Sequence, residues 1–143
     1  MNLKIAVLSG DGIGPEIIEQ AVLVCDKIAH KFNHSITWNQ GLVGAVAIED
    51  CGNPYPEKTH EICLEADAIL FGAIGDPRFD NDPSAKVRPE QGLLKMRNKL
   101  GLFANVRPTF VFPSLLNKSP LKNNIIECTD LVFLRELTCG LDF

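Results

Sequence analysis

The stretch Leu3–Leu8 (LKIAVL) runs into Ser9-Gly10-Asp11-Gly12-Ile13-Gly14-Pro15-Glu16, and no other part constrains the fold as tightly. A compact apolar run bounded by turn residues reads as a buried strand. Pro15 suits the first position of a following helix, and Glu16 suits its positive end. Ile17, Ile18, Ala21, Val22, Cys25, Ile28, Ala29 and Phe32 then fall at helical spacing on one face. Ser35–Trp38 reads as a second strand and Ala45–Asp50 as a short helix. Gly52-Asn53-Pro54-Tyr55-Pro56 is a rigid turn, with Pro56 opening a helix through about Glu65. Ala68–Gly72 reads as a third buried strand. This alternation predicts an α/β fold: a parallel-rich sheet with helices on both faces.

The remainder is less regular. Ala73 to Arg88 is a long polar stretch, and a loop of that length is usually functional or mobile. A helix opens near Pro89 and runs to about Leu100. Asn105–Phe112 reads as extended but contains Pro108, so it suits an edge or bent segment. Leu131–Leu137 is a further strand candidate.

Strand, glycine turn and helix invite a dinucleotide-binding assignment of the Rossmann kind. That fingerprint needs G-x-G-x-x-G, whereas here Gly10, Gly12 and Gly14 are followed by Pro15. The acidic residue expected after the second strand is not evident either. The sheet is therefore expected to be non-Rossmann.

Bulk properties exclude several function classes. A net charge of −4 argues against a broad basic face for nucleic acid. The apolar run at the N-terminus, about five residues, is too short for a signal peptide, and no stretch is long enough to span a membrane. Cys25, Cys51, Cys63, Cys128 and Cys139 form no C-x-x-C pair and no zinc-site spacing. Scattered cysteines suit a reducing cytoplasm, three of them in apolar contexts as packing residues.

The helix beginning at Pro89 carries the substrate argument. Glu90, Leu93, Leu94 and Arg97 share one stripe, with an acid at one end, two leucines between and a guanidinium at the other. An ordinary amphipathic helix with a salt-bridged rim has the same pattern. The functional alternative is an apolar patch beside a carboxylate clamp, for which the planar arginine fork is suited. Arg107 follows just beyond this helix, and Arg135 sits within an apolar strand. A charge there is costly unless paired or facing a polar cleft. Glu136 is adjacent and so faces the opposite side, which leaves either another acid or an anionic ligand as the partner.

Together these motifs resemble the β-decarboxylating dehydrogenases that act on 3-isopropylmalate, isocitrate, homoisocitrate and tartrate. The matching stretches are LSGDGIGPEI (8–17), ILFGAIGDP (69–77), RPEQGLLKMR (88–97), LFANVRP (102–108) and DLVFLRELT (130–138). The Leu93-Leu94 pair resembles the isopropylmalate type, since leucines receive a branched alkyl group and leave a third carboxylate unpaired. The resemblance implies that Arg97, Arg107 and Arg135 hold substrate carboxylates and that Leu93 and Leu94 form the alkyl pocket. It places Glu90 between substrate and nicotinamide, and Ile13 with the loop Asp76–Glu90, including Pro77, Arg78 and Phe79, along the NAD site. It implies oxidative decarboxylation of 3-isopropylmalate to 2-oxo-4-methylpentanoate, a step of leucine biosynthesis, with NAD and Mg2+ or Mn2+. It also implies a cytoplasmic homodimer acting on a small molecule, with no nucleic-acid or membrane partner.

Family members are more than twice this long, so the resemblance covers an N-terminal portion and an incomplete fold. It implies that residues 1–102 are the first part of a discontinuous α/β domain 1 and that 103–143 begin an inserted domain 2. The metal-binding aspartates, catalytic lysine and adenine-binding segment are expected downstream, and no metal site is expected within these residues. Asp76, Asp80 and Asp82 share one loop but suit solvated turns. The last residues depart from the family pattern R-E-L-T-G-G-I-Y-F: Cys139 replaces a glycine and Asp142 stands where the catalytic tyrosine is expected. The chain is therefore expected to be an N-terminal fragment of the enzyme that is inactive alone; the alternative is a non-catalytic dicarboxylate-binding remnant or a pseudogene product.

Overall fold

A computed structural model of the chain describes residues 1–80 and 86–137. It forms two compact units, one of Met1–Met96 and one from Arg97 onward. In the first unit the elements are β1 (Asn2–Gly10), α1 (Gly14–Lys31), β2 (Ser35–Gln40), α2 (Ala45–Cys51), α3 (Glu57–Leu64), β3 (Ala68–Ala73) and the single turn α4 (Pro77–Asp80). Helix α5 (Pro89–Lys99) ends it and enters the second unit. There β4 (Ala104–Phe110), a 3-10 turn (Pro113–Lys118), α6 (Asn123–Ile126) and β5 (Asp130–Glu136) follow.

The first unit is a parallel sheet in the order β2-β1-β3. Central β1 buries Ala6, Val7 and Leu8 in succession, because it is covered on both sides. Alternation along a strand sends Val7 and Ser9 to one face and Leu8 to the other. Val7 and Ser9 line a groove with Ile18 and Val22 of α1. A Cβ built on Gly41 would lie 2.9 Å from both Leu8 Cδ2 and Thr59 Cγ2, which puts α3 against the opposite face. The expected parallel α/β sheet with helices on both faces is therefore what forms.

The glycines of the first turn serve backbone packing. A Cβ on Gly10 would meet the Ala73 carbonyl, and one on Gly14 would lie 3.1 Å from the Ser9 carbonyl carbon. Gly10 and Gly12 also take positive φ values of 71° and 54°, which an L side chain adopts only with strain. Pro15 stands in the first turn of α1.

Tyr55 is fully buried, and its hydroxyl lies 3.2 Å from His60 Nδ1. Of the cysteines, Cys63 is buried and Cys25 half-buried, while Cys51 and Cys128 are exposed. Among the described cysteines a packing role fits Cys63 and, in part, Cys25; Cys139 lies outside the described residues. Only part of the apolar face of α1 is covered: Ile18 and Ala29 are buried, but Ile17, Ile28 and Phe32 are exposed.

The second unit has an antiparallel pair, with Asn105 opposite Arg135 and Arg107 opposite Phe133. Strand β5 is exposed along its length, so Arg135 is not the buried charge that its apolar neighbours suggested. Pro108 lies in an edge strand, as expected of a residue lacking a ladder donor. The 3-10 turn and α6 have no counterpart in the sequence reading. No helix among the described residues is long and apolar enough to cross a membrane.

Candidate functional site

In the order β2-β1-β3 the chain passes from β1 to β2 on one side and then crosses over to β3 on the other side of β1. Ligands of open parallel sheets bind beyond the carboxyl ends of the strands at such a switch point. Gly10 pairs with Ala73 at this end of the sheet, and Asp11 N–H donates to the Ala73 carbonyl at 2.7 Å. The turn after β1 and the segment after β3 therefore meet there. They carry Ile13 on one side and Asp76, Pro77, Arg78 and Phe79 on the other.

Ile13 precedes α1 and is 56% exposed. Asp76 closes a local turn: its Oδ1 accepts from Arg78 N–H at 2.9 Å, and its carbonyl accepts from Phe79 N–H at 2.9 Å. The Arg78 guanidinium donates to both Asp76 oxygens and also meets Glu49 Oε1 of α2 at 2.7 Å. These charge-assisted bonds to Arg78 hold the Asp76 carboxyl below its ordinary range, and the same bonds raise Arg78. Arg78 is thus paired with two carboxylates through its Nε and one terminal nitrogen. Residues 81–85, which include Asp82 of the expected loop, lie outside the described residues.

Helix α5 presents two different faces. Its buried side is Pro89, Gly92 and Met96. A Cβ on Gly92 would lie 2.9 Å from the Pro54 carbonyl carbon, so the glycine lets the helix approach this turn. Leu93 is half-buried and Leu94 is 47% exposed. The two leucines therefore do not supply the core-facing stripe that an ordinary amphipathic helix would make of them. Glu90, exposed in the first turn, has its Oε1 3.3 Å from where a Gly75 Cβ would stand.

The three arginines come together within the second unit. In an antiparallel pair, opposite residues share a face. Arg135 faces the side of Asn105, and Arg107, two residues along β4, is on that same side. Arg97 is half-buried at the start of the unit. Its guanidinium is held below its usual value first by burial and then by the charges of Arg135 and Arg107. Three like charges brought this close favour an anionic ligand between them.

Among the described residues no three His, Cys, Asp or Glu side chains gather as metal ligands. Cys139 and Asp142 lie outside the described residues. Asp11 and Glu49, which tie the segment after β3 to α2, were missed at the sequence level. The available signal was an acid placed between two glycines at a strand end.

Comparison with known proteins places this geometry in context. The model of the isocitrate/isopropylmalate dehydrogenase family matches residues 4–143. The 3-isopropylmalate dehydrogenase of Bacteroides fragilis strain YCH46 is 55% identical over the whole chain, which covers 40% of that protein. Those of Rhodopirellula baltica and Bacillus subtilis are 52% and 51% identical, again over the whole chain and 40% and 39% of their lengths. Among solved structures, an isocitrate dehydrogenase from Methylococcus capsulatus matches with a TM-score of 0.72 and 27% identity, over 97% of this chain and 36% of that one. A beta-decarboxylating dehydrogenase from Thermococcus kodakarensis matches with a TM-score of 0.67 and 29% identity, over 97% of this chain and 35% of that one. The chain thus spans about 40% of the length of the curated relatives it matches.

Proposed function

The chain belongs to the isocitrate/isopropylmalate dehydrogenase family, and we propose that it is the substrate-gripping and nicotinamide-facing part of a 3-isopropylmalate dehydrogenase. The observation that carries this is the convergence of Arg97, Arg107 and Arg135 on a common neighbourhood. In this assignment the three guanidiniums hold the two carboxylates of 3-isopropylmalate, relieving their mutual repulsion. Leu93 and Leu94, spared from the core, receive its branched alkyl group. Isocitrate would present a third carboxylate to those leucines and leave it unpaired, which disfavours it.

Ile13, Asp76, Pro77, Arg78, Phe79 and Glu90 are assigned to the NAD side. Their fit rests on the meeting of the β1 and β3 ends, where Gly75 takes φ 132° and leaves room beside Glu90. NAD, when bound, supplies the hydride acceptor for the substrate's 2-hydroxyl carbon, and loss of the 3-carboxyl as CO2 gives 2-oxo-4-methylpentanoate, a step of leucine biosynthesis. In this assignment Glu90 orients substrate and nicotinamide, and Ile13 covers the ring from water. Mg2+ or Mn2+ is assigned, from family membership, to ligands downstream of these residues. We assign 1–102 to domain 1 and 103–143 to the start of domain 2. The full-length protein is proposed to be a cytoplasmic homodimer with a small-molecule substrate and no nucleic-acid or membrane partner.

Asp142 at the expected tyrosine position favours a second reading, a non-catalytic dicarboxylate-binding remnant or the product of a decayed gene. Calorimetric titration of the chain with 3-isopropylmalate, isocitrate and malate, with NADH formation followed in parallel, tests both. Binding of 3-isopropylmalate about tenfold or more over isocitrate, without NADH formation, is expected. Equal or tighter binding of isocitrate overturns the substrate assignment, and NADH formation by the chain alone overturns its inactivity.

A further inference from the structure

Asp11 is 3% exposed and has no part in the assignment above. Its Oδ2 accepts from Ala45 N–H at 2.9 Å and from Gly75 N–H at 3.1 Å, while Oδ1 accepts from Val46 N–H at 3.1 Å. One carboxylate therefore joins the turn after β1, the start of α2 and the segment after β3. The residue before α2 is Gly44, which has no side chain to cap the helix, so Asp11 provides that acceptor from a distance. A cap for α2 accounts for Ala45 and Val46 but not for Gly75.

Gly75 is the informative partner. With φ 132° it occupies a backbone region that L side chains rarely adopt, its N–H is held by Asp11, and a Cβ built on it would stand 3.3 Å from Glu90 Oε1. A second tie runs parallel, from Glu49 of α2 to Arg78. The segment after β3 is thus fastened to α2 at two points, one deep and one on the surface.

We propose that Asp11 is a positioning residue that, through Gly75, fixes the Glu90 carboxylate and the Asp76–Arg78 segment; its functional meaning rests on the assignment of these groups to the cofactor side. The geometry gives a directional signature. In Asp11→Asn the amide oxygen keeps Ala45 and Gly75 when it takes the Oδ2 place, and the NH2 then opposes Val46 N–H. In Asp11→Ala all three amides lose their acceptor.

The test is amide hydrogen exchange and side-chain carboxyl NMR on the full 143-residue chain. In Asp11→Asn, Val46 is expected to exchange about tenfold faster, while Gly75 and the Glu90 signal stay as in the parent. In Asp11→Ala, Gly75 is expected to exchange at least about tenfold faster and the Glu90 signal to move, with Ala6 and Leu8 still protected. If Asp11→Ala exposes Ala45 and Val46 but leaves Gly75 or Glu90 unchanged, Asp11 is only a cap for α2 and the proposal fails. If neither Asp11 variant folds, exchange in the parent chain decides: a Gly75 N–H protected as strongly as those of Ala45 and Val46 supports the linkage, and a freely exchanging Gly75 N–H refutes it. NAD titration of the parent chain is separate. NAD that shifts none of Ile13, Asp76 or Glu90 overturns the cofactor assignment and leaves the exchange data to judge Asp11.

Discussion

Replacing Gly92 with alanine tests whether α5 is seated by contact with the Pro54 turn. An alanine in a helix interior is ordinarily more stable than glycine by about 1 kcal/mol. Here the new methyl would lie 2.9 Å from the Pro54 carbonyl carbon and 3.1 Å from Pro54 Cβ, and closer still to the carbonyl oxygen. Ordinary carbon contacts are about 3.5–4.0 Å, so α5 or the turn has to move by roughly half an ångström or more. That oxygen cannot yield freely, because it accepts from Gly44 N–H at 2.9 Å. Overpacking of this kind costs about 1–3 kcal/mol, and set against the gain in helix propensity it leaves a net loss of about 0–2 kcal/mol, toward the upper end because the contact is with main chain. With a urea m-value of about 1–1.5 kcal/mol/M the midpoint falls by roughly 1 M. Trp38 is the only tryptophan and its indole donates to Asp26 at 3.0 Å, so its fluorescence reports unfolding of the first unit. Asn98→Ala, at an exposed position of the same helix, should raise the midpoint slightly. A midpoint for Gly92→Ala equal to or above the parent's would show that α5 is not seated on Pro54.

Further outcomes follow from the same structure. Arg107→Ala should leave the free chain no less stable, because it removes a like charge from beside Arg97, yet weaken 3-isopropylmalate binding by about tenfold or more; a destabilised chain with unchanged binding would reveal a structural ion pair instead. Backbone amides of β4 and β5 should exchange far faster than those of β1, since an exposed two-stranded pair is marginal while β1 is buried; equal protection in exchange mass spectrometry would contradict this. Burial, with the neighbouring Cys63, holds the Tyr55 hydroxyl well above its ordinary value. The folded chain therefore keeps this proton where the unfolded chain has lost it, and stability falls as pH rises past about 10. Because Tyr55 is the only tyrosine, tyrosinate absorbance should appear only with loss of the native Trp38 fluorescence, and its appearance near pH 10 with fluorescence intact would refute the burial argument.

Much of the first unit was legible because its signals are local. The apolar run before a glycine turn, Pro15 and the periodic residues of α1 each act within a few neighbours. Strand limits were read a residue or two short, since pairing with β1 carries β2 on to Gln40 and β3 on to Ala73. The site was legible in residue types more than in arrangement. That Arg107 and Arg135 share a face depends on the register of Asn105 with Arg135, which no spacing discloses. The leucine stripe was ambiguous until the buried side of α5 proved to be Pro89, Gly92 and Met96. Asp11 was unreadable for the same reason, because two of the segments it fastens are distant in the chain. The 3-10 turn and α6 were missed because six and four residues are too few to show a period.

The Ser9 carbonyl group also bears on how substitution data would be understood. Side chains introduced at Gly14 or Gly72, fifty-eight positions apart in sequence, would run into this one group, each Cβ lying 3.1 Å from its carbon. A library scored by growth would mark these glycines as intolerant as any ligand-binding arginine, although what they meet is main chain and, at Gly72, the Ile18 side chain. Scored separately for abundance in the cell and for ligand affinity, the glycine variants should vanish from the first measurement. The arginine variants should survive it and fail only the second.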